Sequence, residues 1–166
     1  MSDFFGYVGF VVLLGLLLIG FALAVGGLLR GRILRIQIVL TRHARRATWV
    51  GALNLGFGVA VSLPFFALQA ATGSDGWALP GLGLLALLVV AVAVGFAGLS
   101  LWAGTRLLPD HALPARLAMG AGAVALGAGL PIAGTFLLLP LALCLSLGGL
   151  ILSFLLRVSD PGPALN

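Results

Sequence analysis

Residues 117–156 read LAMGAGAVALGAGLPIAGTFLLLPLALCLSLGGLILSFLL, a run with no Asp, Glu, Lys or Arg. As one helix it would be about 60 Å long at 1.5 Å per residue. That is about twice the ~30 Å hydrocarbon layer of a bilayer. The run must therefore fold back, or break and leave the membrane. Its best breaker is Gly127-Ala128-Gly129-Leu130-Pro131, where a flexible residue and a ring that cannot continue a helix stand close together. The reading that follows is one span at 113–129 and another at 131–156, the second kinked by Pro140. A single crossing, giving four spans in all, is the alternative.

Three further runs are also free of charge: 4–29, 47–74 and 76–105. They give spans at about 4–29, 49–71 and 77–105. Trp49, Trp77 and Trp102 fall near their ends, where aromatic rings favour the headgroup level. Pro64 should kink the second span, and Pro80 falls in the first turn of the third, where a missing N–H costs little. The chain has 166 residues, is 61% hydrophobic and only 8% charged, and has a mean hydropathy of +1.24. A soluble domain carries about 25% charged residues, so lipid must be the solvent for much of this surface. The fold class expected is all-α: a polytopic membrane helix bundle, one domain over 1–157, with a disordered tail at 158–166. The start, Met1-Ser2-Asp3-Phe4-Phe5, lacks the positive flank of a signal peptide, and the first helix reads as retained.

The charges between the runs orient the chain. Arg30, Arg32, Arg35, Arg42, Arg45 and Arg46 gather in the segment 30–48, and arginine-rich loops stay in the cytoplasm. Arg106 and Arg116 place the third loop on the same side, whereas 72–76 holds only Asp75. The N-terminus is then outside. Five spans bring Arg157 and the C-terminus to the cytoplasm, and four would leave them outside. All basic residues are Arg and all acids are Asp, a bias that suits a GC-rich bacterial genome and hence a bacterial inner membrane.

Within the basic segment, Ile33 to Leu40 is too apolar for a free loop and too short to cross. An interfacial amphipathic helix, or an extension of the first helix, would bury its apolar face. The alternation Arg35-Ile36-Gln37-Ile38 also allows a short strand. The arginines are candidate contacts for anionic headgroups or a partner. The net charge of +5 does not point to nucleic acid, which needs an exposed basic face on a soluble domain.

Asn54, Gly58 and Ser62 lie at i, i+4 and i+8, so they are expected to share one face that looks into the bundle, with Gly51 beside them. Small residues recur four apart at Ala52–Gly56–Ala60, Ala91–Gly95, Ala93–Ala97, Ala121–Ala125–Gly129 and Ala123–Gly127, a spacing that lets helix backbones approach. Asp110 is a candidate N-cap for the fourth span. Cys144 reads as a small core hydrophobe.

The absences narrow the function. No carboxylate lies in a span, so ion coupling has no candidate group. There is no Cys-x-x-Cys, no Ser–His pair at membrane depth, and no Lys for a phosphate loop. A cytoplasmic enzyme site would have to come from Arg42, His43, Asp110 and His111. No catalytic set, cofactor or metal is expected. The function expected is a non-catalytic accessory, assembly or scaffold subunit of a membrane complex, with lipid and other membrane chains, or copies of itself, as partners. The alternative is a small transporter or channel for an uncharged or lipid-like solute.

Overall fold

A computed structural model describes residues 2–130 and 134–156. The expected tail at 158–166, Arg157 and Pro131 fall outside these. The described residues form helices joined by short turns, with no strand among them. The helices are α1 (Ser2–Leu28), α2 (Arg30–Thr72), α3 (Ala78–Leu107), α4 (Leu113–Ala128) and α5 (Leu139–Leu155). A 3₁₀ turn, Asp75–Trp77, precedes α3, and a π-helical turn, Gly134–Leu138, precedes α5. Three stretches are long and apolar enough to cross a membrane: Arg30–Thr72, Asp75–Leu107 and Phe136–Leu155. Gly15–Leu28 and Leu113–Ala128 are shorter apolar helices.

Helices α2, α3 and α5 pack on one another, α4 lies on α3, and α1 lies mainly on α4. Glycine makes the close crossings. A Cβ at Gly148 would overlap the carbonyl of Ala47, and one at Gly51 would overlap that of Cys144, so α2 and α5 meet backbone to backbone. Lipid tails are as apolar as leucine, so close packing rather than water exclusion holds such helices together. Of the small residues expected to mediate packing, Gly95, Ala97, Ala121 and Ala125 are buried, whereas Gly56 and Ala60 are exposed.

The segment 30–48 is helical, as expected, on either side of a break at His43, but it runs on into the second span and not from the first helix; the chain breaks at Leu29 (φ −119°, ψ 35°). A second break falls at His43 (φ −134°, ψ 33°). No proline or glycine causes it. Thr41 Oγ1 donates to the Gln37 carbonyl at 2.9 Å and Thr48 Oγ1 to the Ala44 carbonyl at 3.1 Å, back-bonds that commonly bend helices. The bend turns residues 30–42 across the bundle. Ile33, Ile36, Val39 and Leu40 become the most buried large side chains on this arm, with Ile36 at 0% exposure. Ile36, Val39 and Leu40 cluster with Leu99, Leu150 and Leu152, and Ile33 with Leu101 and Leu117. The apolar face is thus covered by protein, not by headgroups. Gln37 Nε2 donates to Thr105 Oγ1 at 3.5 Å on the same side.

Pro64 sits within α2, where the dihedrals stay helical. Pro140 stands in the first turn of α5 rather than kinking its middle, because the π-helical turn ends just before it. Asp110 does not cap α4; the cap position is Ala112, and Pro114 in the first turn sets where the helix starts.

Candidate functional site

The expected polar face of the second span divides. Gly58 is buried, and Ser62 is buried with its Oγ donating to the Gly58 carbonyl at 2.8 Å. Asn54 is exposed, and its Nδ2 donates to the Val50 carbonyl at 2.8 Å on its own helix. The reason is geometric. At 100° per residue, steps of four overshoot a turn by about 40°, so Ser62 lies about 80° round from Asn54. Gly51, Gly58 and Ser62 centre on one inward face, and Asn54 falls at its outer edge. There it is flanked by Leu53 (69% exposed) and Phe57 (71% exposed). One intrahelical bond leaves the Asn54 Oδ1 and the second amide hydrogen for another partner.

The arginines of the basic segment do not divide: Arg30, Arg32, Arg35, Arg42, Arg45 and Arg46 are all exposed. The Arg32 guanidinium lies 3.9 Å from the centroid of the Phe154 ring, tying this arm to the end of α5. Arg106 stacks on Trp102 at 4.2 Å, and Arg116 Nη2 donates to the Pro109 carbonyl. These residues put a cationic surface over one end of the bundle, formed by the α2 arm and the α3–α4 connection.

Of the four residues expected for a cytoplasmic enzyme site, Arg42 is exposed on the α2 arm. Asp110 and His111 are exposed in the α3–α4 connection and His43 is half-buried at the bend of α2. No group of three or more His, Cys, Asp or Glu that could hold a metal occurs among the described residues.

A feature absent from the sequence reading is a cavity of about 560 Å³ between α4 and α5, floored by α3 and reached by α1 and α2. Its wall includes Leu55 of α2, the immediate neighbour of Asn54, but not Asn54 itself. Nothing in an apolar, alanine-rich sequence marks such a space, because it depends on where helices diverge.

The chain matches no known family model, no curated protein and no solved structure.

Proposed function

We propose that this chain is a non-catalytic subunit of a membrane complex, an accessory, assembly or scaffold component, which meets its partner through the outward face of α2. The observation that carries this reading is Asn54. An amide on the lipid-facing side of a span is costly when only hydrocarbon surrounds it, and a neighbouring helix relieves that cost. Asn54→Leu is expected to leave the level of the chain in the membrane unchanged and to weaken partner association about five- to thirtyfold, equivalent to the ~1–2 kcal/mol of a strong interhelical side-chain bond. Partner recovery equal to wild type would overturn the reading.

The topology proposed with it has five spans in a bacterial inner membrane, with the N-terminus outside and the C-terminus in the cytoplasm. Helix α4, with 16 residues, reaches about 24 Å and would cross a locally thinned bilayer. The cationic end of the bundle then faces the cytoplasm, in keeping with the positive-inside rule and with contact to anionic headgroups. A reporter fused after Leu156 is expected to be active only in the cytoplasmic form; activity only in the external form would mean an even number of crossings. The second reading, a carrier of an uncharged or lipid-like solute, draws support from the apolar cavity rather than from Asn54.

A further inference from the structure

The cavity between α4 and α5 adjoins a second one of about 250 Å³, and Val124 and Ala142 belong to the walls of both. The first falls within the ~300–1,000 Å³ typical of ligand pockets. Each cavity has on its wall a residue with a buried polar atom that lacks a hydrogen-bond partner. In the larger it is Ser146, 1% exposed, whose Oγ bonds to nothing. In the smaller it is Trp102, whose Nε1 is likewise unpartnered. Ser62, Ser100 and Ser153 all donate back to carbonyls three or four residues earlier, which is the usual way for a helix to satisfy a serine in lipid. Ser146 does not. A buried polar group left unpaired costs free energy, and a ligand that accepts from it removes that cost.

We propose that the α4–α5 cleft binds an uncharged lipophile drawn from the bilayer: a hydrocarbon body carrying a carbonyl oxygen that accepts from the Ser146 hydroxyl. The lining is otherwise aliphatic and aromatic, which excludes a charged or sugar-like ligand. The cleft reaches the surface of the bundle beside Val89 and Leu139, both exposed, so entry is sideways from lipid. The π-helical turn at Gly134–Leu138 leads into α5 at this cleft, and π-turns recur where helices shape functional sites. This site stands apart from the Asn54 face and does not rest on it.

The test uses full-length protein in lipid nanodiscs and two photoactivatable probes, a long-chain alkyl ketone bearing a diazirine and the matching alkane. Labelled residues are mapped by peptide mass spectrometry. The ketone is expected to label α4 and α5 around Val124, Ala128 and Ala142, and an excess of unlabelled ketone should suppress this. Labelling should fall about two- to tenfold in Ser146→Ala, the range of one hydrogen bond, and should be lost in Ala142→Phe. Competition in the wild-type chain needs no variant and guards against misfolding of Ala142→Phe. Equal cleft labelling by the alkane, labelling unaltered in Ser146→Ala, or labelling spread evenly over Leu53, Phe57 and the rest of the lipid-facing surface would each overturn the proposal.

Discussion

Gly148→Val is expected to prevent α5 from docking on α2. Even a single Cβ at Gly148 would overlap the Ala47 carbonyl and crowd the amide nitrogen of Gly51, so the obstacle is backbone that cannot rotate away. Overpacking of this kind costs about 1–3 kcal/mol for added methylenes, and Gly148→Ala should lie within that range. Valine adds two further methyl groups against the same backbone and should yield protein that no longer elutes as a single folded species in mild detergent. Gly83→Ala is the control: Gly83 is exposed with open space around it, so its replacement should alter stability by no more than about 0.5 kcal/mol. Thermal unfolding in detergent reads all three. Equal melting of Gly148→Val and Gly83→Ala would mean that α2 and α5 do not cross here.

The second large effect is expected from Ile36→Asp. Ile36 is wholly buried, and a Cβ at either Gly98 or Gly149 would meet its side chain, so it fills a notch formed by α3 and α5. Truncation to Ala should cost about 2–5 kcal/mol as for other buried aliphatic side chains. An aspartate there is costlier still, because a carboxylate would be enclosed without a partner. Gly31→Asp, on an exposed position of the same arm with open space around it, should be close to neutral. If residues 30–42 instead lay in the headgroup layer, Ile36→Asp would weaken lipid contact alone and leave the unfolding of the bundle in detergent unchanged.

These two sites show what the residue pattern reveals and where it stops. The spans read from the charges and breakers mark two helices well: 113–129 and 77–105 differ from α4 and α3 by at most two residues at either end. The run 33–40 is visibly amphipathic, since Ile33, Ile36 and Leu40 recur at helical spacing. What covers that face is not visible, because the notch that receives it is made of Gly98 and Gly149, two of 25 glycines in runs of similar composition. Periodicity places a residue on a face but does not say which neighbour approaches it. Asn54 illustrates a second limit. A four-residue spacing keeps residues roughly aligned for one step and lets them drift by the second, so Gly58 and Ser62 are interior while Asn54 is not. The cap of α4 illustrates a third: Asp110 has the right chemistry, but Pro114 fixes the first turn too far along the chain for it.

The same drift redirects the functional reading. An interior Asn54 would have served a polar pathway through the bundle. An exterior Asn54 supports the proposed association instead. The apolar cleft with Ser146 on its wall is a separate feature, and either could exist without the other.

The most direct measurement of the subunit reading is the native mass of the chain released from its own membranes in a mild detergent, wild type beside Asn54→Leu. The account predicts a wild-type species heavier than the 16.9 kDa of a single chain, carrying another membrane protein or a second copy, and a shift towards the single chain in Asn54→Leu. A wild-type species that runs as a 16.9 kDa monomer with no companion would contradict it.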